Sequence, residues 1–329
     1  ALPISYYAGE SPYPAEIAAQ HAQVGRAMFG VVVFLVLALG SLVAPALSAT
    51  SVNGDRAAGV LATLQTTLLT PAEIVLGKLL AAWATSLALL LTAVPFILWA
   101  YFEGGTPFGR LASTLAVLVL ALLVVCAIGL GWSAITARTT SSAVLTYLSV
   151  ALLGLGLPLI FALTLPVTTQ EDQVRVRTME HSSVSPPPDD AEGYAEENWT
   201  CRWTTEEITR THTERTWWLL APNPFVIVAD AAPRPATSFA YDGEDPLSLI
   251  RQGVREARLG PRDVEDWCGD GSGEISDDEA ERLARADALG PVWPFGLLVD
   301  LGLAAGFTVV AVRRLRTPSK TLPRGVRVA

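Results

Sequence analysis

Five long apolar segments constrain the fold of this chain more than any other feature of its sequence. They span about residues 27–49, 76–102, 111–137, 142–167 and 292–312. Together they contain only two charged residues, Lys78 and Asp300. A helix of about 20 apolar residues crosses the roughly 30 Å hydrocarbon core of a bilayer, and backbone groups in lipid must be satisfied within the segment. We therefore predict five membrane-spanning helices, because the buried helices of a soluble protein are rarely this long and this poor in charge.

The charged residues are divided unevenly between two parts of the chain. Residues 167–290 contain 26 acidic and 12 basic residues, a net charge of −14, whereas the remainder contains 6 acidic and 11 basic residues, a net charge of +5. The segment after the last apolar stretch is basic and contains no acidic residue. Because Lys and Arg accumulate on the cytoplasmic side, this tail is predicted to be cytoplasmic. Counting spans backwards then places residues 167–290 and residues 1–25 outside the cell membrane.

This orientation predicts the domain organisation. We expect an extracytoplasmic loop remnant (residues 1–25), a transmembrane core (26–166), an extracytoplasmic acidic domain (167–290), a last transmembrane helix (291–313) and a basic cytoplasmic tail (314–329). Because the chain begins outside the membrane in this scheme, one earlier span is expected to be missing. The predicted fold class is an all-α polytopic membrane protein with a large, mostly helical or irregular extracytoplasmic insertion.

The acidic domain contains two features that bear on its structure. The run from Trp217 to Ala229 is too short and too interrupted by proline to span a membrane. It is either an interfacial or re-entrant element on the outer membrane face or part of the core of the external domain. Cys201 and Cys268 both lie within the acidic domain, residues 167–290, so they are candidates for a disulfide on the oxidising side of the membrane.

The segment that follows Cys268 approximates a calcium-binding EF-hand loop. Its candidate ligands are Asp270, Ser272, Ser276 and Glu279. Helices are predicted on both sides of it, at about residues 246–259 and 277–289. The first ligand position is Cys268, however, and a hard cation prefers oxygen, while a disulfide would consume that sulfur. An ordinary acidic, glycine-rich turn is the alternative to a calcium site.

Asp300 lies about nine residues into the last apolar segment. Ionisable groups at such a depth are costly, and they commonly face a bundle interior or a water-filled cavity. The alternative is that residues 293–295 form a shallow outer turn, which would leave Asp300 near the lipid headgroups. Asp300 is therefore a candidate intramembrane polar site.

The connection between the first two apolar segments has the pattern of a short amphipathic helix beside the membrane. Within residues 53–69, apolar residues recur at three- and four-residue spacing and form one stripe: Val60, Leu61, Leu64, Leu68 and Leu69. Thr70 precedes Pro71 and Glu73, which is the pattern of a helix N-cap with its capping-box acid. Such a helix, joined to two spans, is able to pass a partner's movement into the bilayer, although similar helices are commonly only interfacial anchors.

The same connection resembles the ABC-2 family of transporter permeases, whose members typically show Glu-Arg-x-x-Gly-Thr-Leu-x-x-Leu-Leu-x-Thr-Pro-x-x-x-x-Glu-Ile-x-x-Gly-Lys. The matching positions are Asp55, Arg56, Gly59, Leu61, Leu64, Thr70, Pro71, Glu73, Ile74, Gly77 and Lys78. Residues 137–143 and the sequence Asn223-Pro224-Phe225 are also similar to that family. Asp55 stands where Glu is usual and Val60 where Thr is usual, and the external stretch is larger than the family's usual loop.

The resemblance implies a function and a set of partners. It implies the permease subunit of an exporter that works by alternating access in the lipid bilayer, with six spans and a second, identical or paralogous, permease half. Residues 53–69 would be the coupling helix that docks on a separate ABC ATPase, which binds ATP and Mg²⁺. The sequence has no Gly-x-x-x-x-Gly-Lys-Ser/Thr phosphate loop, so the chain itself is expected to be no enzyme, and no nucleic-acid partner is expected. The alternative is a membrane-anchored sensor or adhesion module that acts through its acidic external domain.

Overall fold

The computed structural model describes residues 14–59, 69–104, 108–181, 199–231, 245–268 and 277–316. Its helices are α1 (Pro14–Ser48), α2 (Asn53–Ala57), α3 (Pro71–Gly104), α4 (Phe108–Ile135), α5 (Thr139–Ala151), α6 (Leu157–Thr168), α7 (Pro224–Ala231), α8 (Pro246–Leu259), α9 (Asp277–Ala288) and α10 (Trp293–Leu315). A π-helical turn, Leu152–Gly156, joins α5 to α6. The strands are β1 (Thr169–His181), β2 (Trp199–Thr211) and β3 (Val264–Asp266).

Five helical segments are long and apolar enough to cross a membrane. They are Val24–Ala57, Pro71–Glu103, Leu111–Ile135, Thr139–Thr168 and Trp293–Leu315. Each coincides, to within a few residues at its ends, with one of the apolar segments found in the sequence or extends beyond it. The prediction of an all-α polytopic bundle with five visible spans is therefore confirmed. The fourth of these spans consists of α5, the π-turn and α6.

The chain divides into two compact units. The membrane unit comprises the residues up to 160, residues 218–254 and the residues from 291 onward, whereas the insertion unit comprises residues 161–217 and 255–290. The predicted single acidic domain over residues 167–290 therefore differs from the structure, because its middle part belongs with the spans.

α4 lies at the centre of the membrane unit and contacts α1, α3, α5, α7 and α10. It is apolar on all sides, as a helix surrounded by other helices must be. Two glycines let its neighbours approach closely: a Cβ at Gly129 would overlap Ser48 of α1, and one at Gly131 would overlap the ring of Phe307 of α10. Small residues at such crossings are the usual basis of helix packing in lipid.

The fourth span is the least buried of the five. Large apolar side chains along it are exposed, among them Leu148, Leu155, Leu159 and Leu163. In a membrane these side chains face lipid, which is as apolar as they are. Few contacts therefore hold this span in the bundle, and the polar contacts that it makes matter more.

The insertion unit is built on a three-stranded sheet of order β2-β1-β3. β1 and β2 are antiparallel over their whole length, from Thr169 opposite Thr211 to His181 opposite Trp199, and β3 runs parallel to β1. Val174 and Val176 of β1 point to the buried face. The prediction of a mostly helical or irregular insertion did not include this sheet, which organises the insertion unit.

The helices predicted on either side of the acidic glycine-rich segment coincide with α8 and α9. The run that begins at Trp217 forms a 3-10 helix, Trp217–Leu219, and then most of α7. The residues of α7 are almost all buried in the membrane unit against α4 and α10. Of the two interpretations left open by the sequence, the core of a separate external domain does not describe α7.

Candidate coupling site

The short helix α2 begins without a capping side chain of its own. Its N-cap residue is Val52, and the first N–H groups of a helix have no partner within that helix. Ser133 of α4 replaces the missing cap, because its Oγ accepts hydrogen bonds from the backbone N–H of Val52 (2.9 Å) and of Asn53 (3.2 Å). All three residues are buried. The start of the connection between α1 and α3 is thus fixed to the central helix.

Asn53 strengthens this attachment with its own side chain. Its Oδ1 accepts a hydrogen bond from Ser133 Oγ (3.1 Å). Its Nδ2 donates to Thr136 Oγ1 (3.4 Å) and to the carbonyl oxygen of Arg138 (3.3 Å). The first turn of α2 therefore contacts the end of α4 and the turn before α5. The sequence analysis did not identify Asn53 and Ser133 as site residues. The signal that marks each of them is its polar side chain at the end of a long apolar run.

Asp55 and Lys78, two residues of the family-like motif, form an ion pair. The Lys78 Nζ also donates a hydrogen bond to the carbonyl oxygen of Ser51 (2.8 Å). Both charged side chains are half-buried, with 31% of the Asp55 side chain and 19% of the Lys78 side chain exposed. Lys78 lies in the second turn of α3, so this pair fixes α2 to a second span.

The prediction of one continuous helix over residues 53–69 is wrong. α2 ends at Ala57, and Gly59 has a φ of 74°, which is left-handed backbone that glycine adopts freely and other residues rarely do. The Gly59 N–H donates to the carbonyl oxygen of Arg56 (3.2 Å) and closes the last turn. The motif glycine is therefore the left-handed residue that follows the C-cap Ala58, and α2 does not continue through it.

Thr70 and Glu73 have the reciprocal hydrogen bonds of a capping box. The Thr70 N–H donates to Glu73 Oε2 (2.7 Å), and the Glu73 N–H donates to Thr70 Oγ1 (3.3 Å). Pro71 occupies the first position of α3, where its missing N–H is no loss. The second span therefore begins at a fixed residue directly after the connection.

The other motif residues are not brought into this network by the contacts described. Leu61 and Leu64 lie within residues 60–68, outside the residues that the structure describes. Arg56 is half-buried, and Gly77 is exposed with open space around it.

The remaining candidates lie elsewhere in the chain. Asp300 is buried within α10, and its Oδ1 has no hydrogen-bond partner among the described residues. Cys201 and Cys268 are joined by a disulfide, with their Cα atoms 6.0 Å apart. Of the calcium candidates, Asp270, Ser272 and Ser276 lie outside the described residues, and so does the side chain of Glu279. Calcium binding stays a prediction.

Comparisons with known proteins bear on the family to which the chain belongs. The model of a family described as ABC-2 family transporter protein matches residues 9–190, which is more than half of the 329 residues. The match includes the first four spans and the whole connection between α1 and α3. No curated protein and no solved structure matches the chain. The chain is therefore a multi-pass membrane protein that belongs to the ABC-2 family, and it is the permease subunit of an ABC transporter.

Proposed function

We propose that this chain is the membrane-spanning half of an exporter in the cell membrane, driven by a separate ATPase that binds ATP and Mg²⁺. The observation that supports this most strongly is the double attachment of α2. Ser133 holds its first turn to α4, and Lys78 holds Asp55 to α3. A segment held at two helices moves only when those helices move with it.

The physical consequence is that force applied to the connection reaches the centre of the bundle. Ala57, Ala58 and Gly59 are exposed at the end of α2, and Leu69 is exposed just before α3. The ATPase docks on this exposed surface and on residues 60–68 between its two ends. When two ATPase subunits close on ATP, the two permease halves rock between inward-open and outward-open states.

The orientation proposed for the chain agrees with this role. Arg313 and Arg314 are exposed at the end of α10, and positively charged residues at the ends of spans favour the cytoplasmic side. The C-terminus and the α1–α3 connection then lie in the cytoplasm, where the ATPase is. A second copy of this chain, or a paralogue, completes the transport pathway.

The test is co-purification of the full chain with candidate ABC ATPases from the same genome, followed by measurement of ATPase activity in lipid nanodiscs. The variant carries Leu61→Glu and Leu64→Glu, which place two charges on the apolar stripe. The matched control is Thr140→Glu, which adds a charge at an exposed position in the first turn of α5, on the same predicted side of the membrane. We expect the double variant to lose the ATPase and the control to retain it.

The opposite outcome is equally informative. A wild-type chain that inserts into the membrane but retains no ATPase would refute the proposal. Function would then reside in the acidic insertion, as in a membrane-anchored sensor or adhesion module. If the double variant retains the ATPase as the wild type does, residues 60–68 are not the docking surface.

A further inference from the structure

The fourth span contains a proline that removes the α-helical hydrogen-bond partner of one backbone carbonyl group. In an α-helix the carbonyl of Gly154 would accept the N–H of residue 158, but that residue is Pro158, which has no N–H. The chain responds with the π-turn, in which the N–H of Leu157 donates to the carbonyl of Leu152, five residues earlier. A partly buried carbonyl left without a partner costs about 1–3 kcal/mol.

Asn223 provides the missing partner. Its Nδ2 donates a hydrogen bond to the carbonyl oxygen of Gly154 (2.8 Å). Its Oδ1 accepts the N–H of Phe225 (2.8 Å) and so caps the start of α7. The side chain is buried, and each end of the amide has the partner that its chemistry requires. A carboxylate in its place would still cap α7 but would have no proton to donate to Gly154.

The helix that Asn223 caps also contacts two other spans. The Phe225 ring lies against Phe34 of α1, with ring centroids 5.1 Å apart. At the other end of α7, Asp230 Oδ2 accepts the backbone N–H of Val292 (2.5 Å) and of Trp293 (2.9 Å). Those are the first N–H groups of α10, so Asp230 caps the last span. Eight residues thus connect the first, fourth and last spans.

We propose that the π-turn is the hinge of the fourth span and that the Asn223 amide is its latch. While the hydrogen bond to Gly154 is made, α7 holds the fourth span against the first and last spans. When the bond breaks, the part of the fourth span that follows the π-turn is released. Hydrogen bonds of Tyr147 and Ser149 still hold α5 to α1 and α4, whereas most of α6 is exposed or half-buried. As a step of the transport cycle this rests on the function proposed above. The latch itself is a property of the permease alone.

The test measures amide hydrogen exchange by mass spectrometry on the full chain in nanodiscs, without ATPase. In Asn223→Asp, exchange of the peptide covering residues 152–160 is expected to become about tenfold faster or more, since an unsatisfied buried group costs about 1–3 kcal/mol and 1.4 kcal/mol is tenfold. Exchange of residues 224–231 is expected to stay at the wild-type rate, because aspartate caps a helix as well as asparagine does.

Three further variants make the result specific. Asn223→Ser keeps a capping oxygen but is too short to reach Gly154, so it is expected to act like the aspartate variant without adding charge. Asp245→Asn is the matched control, because it substitutes between the same two residue types at the cap of α8. There the Asp245 Oδ1 accepts the N–H of Leu247 (2.9 Å). This variant is expected to leave the amide exchange rate of residues 152–160 unchanged. Pro158→Ala restores an N–H, so Pro158→Ala combined with Asn223→Asp is expected to return exchange towards the wild-type rate.

The outcomes separate the latch from a structural role and from the proposed function. Wild-type exchange at residues 152–160 in both Asn223 variants would overturn the latch. Equal acceleration throughout α7 would show that Asn223 is only a cap, and failure of Pro158→Ala to rescue would overturn the argument from the orphaned carbonyl. In the complex with the ATPase, trapping with vanadate is expected to accelerate exchange of residues 152–160 in the wild type. If vanadate leaves the exchange rate of residues 152–160 unchanged, the hinge does not move during the transport cycle. If the chain binds no ATPase, the exporter function is refuted, but the latch is not.

Discussion

Replacing Ser133 with alanine is expected to detach the start of the coupling site from the central helix. The substitution removes one oxygen that accepts two hydrogen bonds and donates a third. The N–H groups of Val52 and Asn53 lose their acceptor, and both residues are buried, so water does not replace it without local opening. A buried donor left unsatisfied costs about 1–3 kcal/mol, so the two together cost about 2–6 kcal/mol.

Even the lower limit of this range predicts a change that is easy to measure. A cost of about 2 kcal/mol raises the population of the opened segment about 30-fold, because 1.4 kcal/mol corresponds to a factor of ten. Trypsin cleaves after Arg56, which lies inside α2, and cleavage of a segment that opens and closes rapidly follows its open population. We expect cleavage after Arg56, followed by mass spectrometry in nanodiscs, to become about 30-fold faster or more.

The matched control for this variant is Ser48→Ala. Ser48 is also fully buried, but its Oγ donates to the carbonyl of Ala44 in its own helix (2.9 Å). Removing that hydroxyl leaves no orphaned N–H, because Ser48 Oγ is the donor in this bond. Such bonds within a helix also contribute little to stability. Cleavage after Arg56 is expected to stay at the wild-type rate in this control. An unchanged rate in Ser133→Ala would refute the capping role, and equal acceleration in both variants would indicate general loosening of the bundle.

Two further predictions concern packing and covalent closure. A Cβ at Gly296 would overlap the carbonyl oxygen of Ala221, whereas one at Gly302 meets open space. Gly296→Ala is therefore expected to destabilise the membrane unit by about 1–3 kcal/mol and to lower its thermal midpoint. Gly302→Ala is expected to leave the thermal midpoint unchanged. Equal midpoints for the two variants would contradict the close contact at Gly296. Replacing Cys201 and Cys268 by serine opens a loop with a sequence separation of 67. The chain-entropy model predicts that the insertion unit then loses about 4 kcal/mol of its free energy of unfolding. Amide exchange in β1 and β2 at the wild-type rate would exclude a loss of that size.

The spans and the start of α3 were predictable because their signals are local. Twenty apolar residues without charge leave a segment few stable alternatives to a membrane helix. The capping box of Thr70 and Glu73 lies within four consecutive residues, so its geometry follows from the sequence alone. The end of α2 was missed, although Gly59 was recognised as a motif residue. A glycine inside an apolar stripe is compatible with a helix that continues, and only its positive φ shows that it does not.

The sheet of the insertion unit was missed for a different reason. In β1 only Val174 and Val176 are deeply buried, and the residues around them are charged or polar. An alternation this short is a weak strand signal. The partner strand begins at Trp199, beyond residues 182–198, and pairing over such a distance is not encoded in a local pattern.

The attachments that matter most for movement share one physical origin. Ser133, Asn223 and Asp230 each bind backbone groups that a neighbouring helix leaves without a partner, at sequence separations of 81, 69 and 62 residues. The places where a helix cannot satisfy itself are visible in the sequence, as at Pro158. The side chain that satisfies them is not, because it comes from a distant part of the chain. In a bundle whose helices are otherwise as apolar as the lipid around them, such bonds decide which spans are joined. They also break one at a time without exposing apolar surface to water, so spans joined in this way are able to separate and rejoin.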